Sequence, residues 1–304
     1  MEFPKLSTEF LLKRLEPPKG RLRMVLDTDT YNEIDDQFAL VYSLLSRERL
    51  DVEAIYAAPF HNKRSSGPAD GMEKSYQEIL RLLDRMNLSP KGLVHKGSTS
   101  YLPEAFRPCP SDAAEDLVKR AMSCETEPLY VASIGAITNI ASAVLMEPKI
   151  IEKIVIVWLG GHAPYWPHTR EFNLAQDVPA ARLLFDCGVP LVQIPCLPVA
   201  SHLLTTAPDM DYYYPEMGDV GKYLVDSFKS YTRDHFAWAK EIWDISAIAY
   251  LVNPEWVPAD LIHSPILTDQ VTWSHDPSRH FIKAARQIDR NAVFRDMLRK
   301  LCRK

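Results

Sequence analysis

Short unbroken apolar runs alternate along the chain with stretches whose apolar residues recur every three to four positions. Met24-Val25-Leu26 is such a run, ending in acids, and Val52–Ala58, Leu129–Ser133, Ile154–Leu159 and Leu191–Ile194 are others. Short runs that are apolar at nearly every position suit strands covered on both faces. Between them, Ile34 to Leu45 carries Phe38, Val41, Leu44 and Leu45 on one helical stripe, and Glu73 to Met86 reads as a helix behind a loop at Gly67-Pro68. Asp112 with Glu115 resembles a capping box opening another helix. A further helix starts near Thr138 and stops near Pro148, and Pro179 opens one that stops at Gly188. Strand and crossover helix repeated in this way predict an α/β fold, an open and mostly parallel sheet with helices on both faces. No repeat, low-complexity tract or linker divides the chain, so 1–304 reads as a single domain.

In such sheets ligands bind outside the carboxyl ends of the strands. The polar clusters fall at those ends: Asp27 to Asp36, the Ile134-Gly135 turn, Gly160 to Asn173, and the segment around Asp244. Composition narrows the classes. With 46% apolar and 25% charged residues the chain can bury a sizeable core. A net charge of -5, with both signs spread along the chain, argues against a nucleic-acid partner. No apolar run is longer than Ile154 to Leu159, far short of the ~20 residues a bilayer requires. The N-terminus lacks the pattern of a signal peptide. Cys109, Cys124, Cys187, Cys196 and Cys302 are odd in number and form no Cys-x-x-Cys. They read as reduced thiols of a cytoplasmic protein with no membrane attachment.

The densest chemistry lies after the first strand, in Asp27-Thr28-Asp29-Thr30-Tyr31-Asn32-Glu33-Ile34-Asp35-Asp36. Asp27 and Asp29 point to one side of an extended strand, and Asp35 and Asp36 sit where the next helix begins. A helix N-terminus accounts for one carboxylate. Four aspartates within ten residues raise one another's pKa unless a cation intervenes. Oxygen ligands without His or Cys suit Ca²⁺ or Mg²⁺ rather than zinc. The bland alternative is that Asp35 caps the helix and the other acids are solvated. A sharper rival is a haloacid-dehalogenase-type phosphatase. Asp27-Thr28-Asp29-Thr30 fits it in part, but the usual glycine is missing and the nearest later acid, in Gly218-Asp219, follows no strand-like run.

The order Asp-x-Asp, Asp-Asp and a helix containing Ala-Leu resembles the opening of the inosine-uridine-type nucleoside hydrolases. Three further stretches are similar to that family in the same order: Ser133 to Ala141, Gly160-Gly161 with Glu171-Phe172-Asn173 and Asp177, and Trp243-Asp244-Ile245-Ser246-Ala247. Leu197 to His202 and Ala249 to Glu255 are lesser agreements, and the resemblance covers roughly residues 22 to 258. It implies the Rossmann-like fold of these hydrolases and calcium-dependent cleavage of a ribonucleoside into ribose and free base. It also implies Ca²⁺ held by Asp29, Asp36, Asp244 and the Ile134 carbonyl, with Asp29 as general base and Asp35, Glu171 and Asn173 gripping the ribose. Trp243 stands where many members have His, as in the purine-preferring branch, and would stack on the base. Relatives form homodimers and homotetramers, which becomes the expectation for this chain. Asp177 is expected to cap the following helix.

The chain departs from the pattern in three places. Five residues, Thr30 to Ile34, separate Asp29 from the Asp pair where the family has three, so Glu33 becomes either an extra ligand or a solvated loop acid. The family's Gly-Asn after the second strand is replaced by Ala58-Pro59-Phe60-His61-Asn62, leaving His61 or Asn62 to reach the sugar. The family's Asn six residues before the Glu falls on Tyr165, in an aromatic and basic loop, His162 to Arg170, that would face the base. His61, His162 and His168 are the candidates for the acid that protonates the leaving base. Two alternatives stay open: hydrolysis of another N-riboside, and metal-dependent sugar binding without efficient turnover.

Overall fold

The computed structural model describes residues 3–302. In chain order the main elements are α1 (Thr8–Arg14), β1 (Leu22–Thr28), α2 (Asp36–Leu45), β2 (Leu50–Ala57), α3 (Pro68–Arg85), β3 (Val94–Lys96), α4 (Asp112–Met122), β4 (Leu129–Ser133), α5 (Thr138–Met146) and β5 (Ile154–Leu159). Then follow α6 (Phe172–Gln176), α7 (Val178–Asp186), β6 (Leu191–Ile194), β7 (Leu204–Thr205), α8 (Ala207–Tyr213), α9 (Asp219–Ser230), β8 (Lys240–Glu241) and α10 (Ile245–Val252). The chain closes with β9 (Ala259–His263), β10 (Ile266–Leu267), β11 (Trp273–Ser274), β12 (Phe281–Ala285) and α11 (Arg290–Leu301).

Eight strands form one sheet in the order β3-β2-β1-β4-β5-β6-β12-β9. Every pairing in it is parallel except that of β9 with β12 at the edge. The unbroken apolar runs have a direct cause. Along β1, Met24 and Leu26 join one core while Val25, between them, joins the other. Along β5, Val155, Val157 and Leu159 face the first core, and Ile154, Ile156 and Trp158 the second. Helices α2, α10 and α11 cover the first face, and α4, α5 and α7 the second. Alternate residues therefore both find apolar partners, as a parallel sheet sandwiched by helices demands.

The β4, β5 and β6 boundaries match the sequence expectation, and most of the other expected elements differ by one or two residues at their ends. Three differ more. The cap of α4 is Ser111, whose side chain accepts from the Ala114 N–H, so Asp112 is already inside the helix. Helix α3 begins at Pro68, which fits position N1 because its missing N–H would be unpaired there anyway. The strands β3, β9 and β12 were not expected. β3 is three residues long, and β9 has exposed residues because its outer edge and faces meet solvent.

Candidate active site

The carboxyl ends of β1, β2 and β4 are stitched together by backbone bonds, from Ala58 N–H to Thr28 O at 2.8 Å and from Ile134 N–H to Asp27 O at 2.9 Å. Asp27 is part of this stitching. Its buried carboxylate accepts from Ser133 Oγ at 2.9 Å and Asn139 Nδ2 at 2.8 Å. Burial raises its pKa to about 7, with those two bonds pulling the other way. Asp27 is thus a brace between β1, β4 and the start of α5.

Asp29, just past the end of β1, is different. It is fully buried, and neither carboxylate oxygen has a hydrogen-bond partner. Burial first, then the charges of Asp36 and Asp35, hold it well above the usual carboxylate range. The turn after β4 fits tightly over it. A Cβ on Gly135 would lie 3.1 Å from Asp29 Cγ and 3.2 Å from the Ala58 Cβ, so glycine lets the backbone approach.

Asp36 opens α2. Its Oδ1 accepts from Thr28 Oγ1 at 2.5 Å, which commits the Thr28 proton. Thr30 must then be the donor in its 2.9 Å contact with Thr28. Asp36 Oδ2 has no partner, and burial and Asp35 raise the group to about 7. Asp35 and Asp244 occupy the N-cap positions of α2 and α10, yet neither side chain makes a cap bond. The bland reading of Asp35 as a cap therefore fails: its carboxylate is directed to the site. Asp35 is raised to about 6 by burial, against the pull of Lys240, and Asp244 is held well above the usual range by burial, Asp35 and Asp36. One oxygen each of Asp35, Asp36 and Asp244 lies within 4.8 Å of the others. The closest trio thus contains Asp35 where the resemblance implied Asp29, with Asp29 against Asp36 beside it.

Four buried carboxylates with three partnerless oxygens are unfavourable in a low dielectric unless a cation compensates them. All donors are oxygens, the donor set of a hard divalent cation. The residues present fit such an ion.

Above these acids opens a cavity of about 360 Å³, within the size range of small-molecule sites. Its lining includes Asp35, Asp244 and Ile134, then His162, Glu171 and Asn173, and also Asn32, Glu33, Asn62 and Trp243, whereas Asp29 and Asp36 lie behind it and are not part of the lining. Glu171 is the N-cap of α6. It accepts from the N–H groups of Gly161 at 2.8 Å, Asn173 at 2.9 Å and Leu174 at 3.1 Å, which fixes its carboxylate. Asn173 Nδ2 donates to Leu159 O at 2.9 Å and Ile134 O at 3.2 Å, tying the ends of β4 and β5. The Ile134 carbonyl therefore keeps one lone pair for a further contact. Asp177 caps α7 through the Ala180 N–H at 3.0 Å.

Two expected wall residues are elsewhere. Tyr165 is 71% exposed and absent from the lining, because a tight turn from Trp166 N–H to Ala163 O throws it outward. The side chain of His61 is likewise outside the lining, and its backbone N–H donates to Gln176 Oε1 at 2.6 Å. Asn62 reaches the cavity instead. The surprise in the loop after β5 is His162, which is buried against the cavity. Its Nδ1 accepts from Leu197 N–H at 3.3 Å, so Nε2 carries the proton. Burial and His168 lower its pKa to about 4. At neutral pH the ring is therefore neutral, with its Nε2–H available as a donor.

Sequence reasoning missed Lys240. Its side chain is 9% exposed and pairs with Glu33 at 2.7 Å. Tyr231 Oη donates to the other Glu33 oxygen at 3.0 Å. The Lys240 ammonium lies 5.4 Å from the Tyr231 ring centre and 5.9 Å from that of Trp243. Glu33, its side chain still 33% exposed, is thus held by an ion pair and a tyrosine and stands outside the cluster of Asp35, Asp36 and Asp244. No local pattern announces this pair, because its members come from opposite ends of the chain. The phosphatase rival loses its second acid, since Asp219 is on the surface with Arg85 at 2.9 Å.

Comparison with known proteins agrees with this geometry. The family model of the inosine-uridine preferring nucleoside hydrolases matches residues 24–295. The pyrimidine-specific ribonucleoside hydrolase RihA of Salmonella typhimurium is 28% identical over 263 residues, covering 77% of this chain and 80% of that protein. The probable uridine nucleosidase 2 of Arabidopsis thaliana is 26% identical over 267 residues, covering 80% and 79%. Among solved structures, a purine-preferring ribonucleoside hydrolase from Gardnerella vaginalis superposes with a TM-score of 0.69 at 21% identity, over 92% of this chain and 98% of that one. An inosine-guanosine nucleoside hydrolase superposes with a TM-score of 0.73 at 15% identity, over the same 92% and 98%. These last two likenesses speak for the fold.

Proposed function

Because the chain belongs to the inosine-uridine preferring nucleoside hydrolase family, whose members are N-glycosyl hydrolases, we propose that it cleaves ribonucleosides into ribose and free base with calcium in its acid floor. The observation that carries this reading is the buried cluster of Asp29, Asp35, Asp36 and Asp244, with three partnerless oxygens, two of whose members, Asp35 and Asp244, line a cavity together with Glu171 and Asn173. Asp29, Asp36, Asp244 and the free lone pair of the Ile134 carbonyl would hold the ion. Bound there, calcium supplies charge compensation for the acids and makes a nearby water easier to deprotonate.

The chain's own groups do the rest. Asp29, whose oxygens no protein donor engages, accepts the proton of the attacking water. Asp35, Glu171 and Asn173 position the ribose hydroxyls, so that the anomeric carbon stays in register with that water. The fixed carboxylates favour the positive charge that develops on the sugar as the bond to the base breaks. Trp243 offers a plane on which the base stacks. The chain, 1–304, acts in this proposal as one domain, in the cytoplasm, as a homodimer or homotetramer that sedimentation analysis would reveal. All five cysteines are free. Among the described residues no helix is long and apolar enough to cross a membrane.

The test is release of base and reducing sugar from inosine, guanosine, adenosine, uridine and cytidine, with calcium, after chelation, and after readdition of magnesium or zinc. Release that disappears on chelation and returns with calcium supports the proposal. Tight calcium binding without release from any nucleoside favours the binding-protein alternative.

A further inference from the structure

The loop between Asp29 and Asp35 is longer than the family pattern, yet it is pinned at every turn. Arg64 Nη1 donates to Glu33 O at 3.0 Å and Tyr31 O at 3.4 Å. Asn62 Oδ1 accepts from the Arg64 N–H at 2.8 Å, which fixes the orientation of that amide. Asn62 Nδ2 therefore donates to Asn32 Oδ1, at 2.7 Å, and to Asn32 O, at 3.2 Å. With its oxygen so engaged, Asn32 presents a free Nδ2–H₂ donor group. Glu33, held by Lys240 and Tyr231, takes one hydrogen bond on each oxygen and keeps lone pairs on both. Asn32 and Glu33 both line the cavity beside Trp243. The cavity thus presents a neutral donor, an anionic acceptor from the next residue, and an aromatic ring.

We propose that Asn32 and Glu33 form a base-reading edge that selects guanine, through its carbonyl and its two adjacent N–H donors. This rests on the hydrolase reading of the same cavity and adds the base class. Guanine matches the edge with three hydrogen bonds: its carbonyl to Asn32 Nδ2, and its ring N–H and amino N–H side by side to the Glu33 carboxylate. Adjacent N–H donors suit a carboxylate as a guanidinium does. Hypoxanthine lacks the amino group and makes two. Adenine and cytosine offer an amino group beside a bare ring nitrogen, whose lone pair faces either one donor or a repelling carboxylate. Lys240 and Tyr231 are positioning residues. They hold Glu33 in one rotamer so that the carboxylate is prepared before the base arrives.

The experiment is kcat/KM for guanosine, inosine and adenosine with wild type, Glu33→Gln and Tyr231→Phe, all with calcium. Wild type is expected to favour guanosine over the other two by about tenfold, the scale on which a lost charged hydrogen bond discriminates. Glu33→Gln should lower the guanosine value about tenfold or more, the inosine value by less because only one bond to the carboxylate is weakened, and the adenosine value less than about threefold. Tyr231→Phe should lose part of the preference with its thermal midpoint unchanged, which separates reading from folding. Equal losses for all three nucleosides in both variants, or a wild type that prefers adenosine, overturn the inference. If wild type releases no base at all, the hydrolase reading fails by itself. Equilibrium binding of the same nucleosides to wild type and Glu33→Gln then decides base reading, with the same order sustaining it and no guanosine preference overturning it.

Discussion

Replacing Asp29 by Asn should make the calcium-free protein more stable and the enzyme nearly inert. Both effects come from one carboxylate. Neither of its oxygens has a partner, and Asp36 and Asp35 repel it. Asn keeps the shape, removes the charge and supplies an N–H₂ that the partnerless Asp36 Oδ2 can accept. An unsatisfied buried polar group costs about 1–3 kcal/mol, and more when charged. Relief of about 1–3 kcal/mol raises the melting midpoint by roughly 2–4 °C per kcal/mol in domains somewhat smaller than this one. With calcium the order should invert, because the wild type gains binding energy that the variant has largely lost. The rate should fall about 10²–10⁴-fold, the usual contribution of a positioned general base. Thermal melts with chelator and with calcium, alongside base release from inosine, measure all three. Near-wild-type turnover removes Asp29 from the role of base. A variant less stable than wild type in chelator refutes the account of strained acids, because it would mean that the charge was already satisfied.

Two further predictions follow from the same residues. In chelator, stability should fall as pH rises from about 4 to about 7. Asp35 at about 6 and Asp36 at about 7 bind protons in the folded chain that they release when unfolded, so their stabilisation is complete below the ordinary carboxylate pKa and lost through the folded values; saturating calcium should flatten the slope, and a melt series across pH measures it. Asn139→Ala should destabilise the protein with or without calcium, by about 1–3 kcal/mol. It strips a donor from the buried Asp27 carboxylate and an acceptor from the Ser98 N–H; denaturant titration gives the value, and an unchanged midpoint would show that Asp27 is braced otherwise.

Much of the fold was legible because it is written at short range. Val25 and Leu26 both had to be apolar once the sheet was covered on both faces, and that produced an unbroken run. The acids Asp29, Asp35 and Asp36 were visible as too many like charges for one helix start. Asp244 was legible only through its resemblance to a family motif, since nothing near it in sequence speaks of the floor. Asp27 looked like its neighbour Asp29 and turned out to be braced by Ser133 and Asn139. Counting back from Glu171 placed Tyr165 in the wall, but the turn at Ala163 and Trp166 sends it to solvent and leaves His162 inside. Lys240 stayed invisible because its meaning is wholly tertiary: it answers a glutamate at the other end of the chain.

That ion pair also bears on how such a protein can be altered. The acid floor is built on strand ends and helix starts, whereas the Asn32–Glu33 wall hangs on surface loops fastened by Lys240 at the β8 edge. Loops so fastened can be exchanged without disturbing the reacting centre, but only as a set. A graft that brings residues 231–243 without residues 30–34 strands the nearly buried Lys240 ammonium, and the reverse leaves Glu33 without its cation. Laboratory redesign of the substrate range should therefore treat the two segments as one heritable module, and chance divergence would have had to pass through compensated pairs of changes.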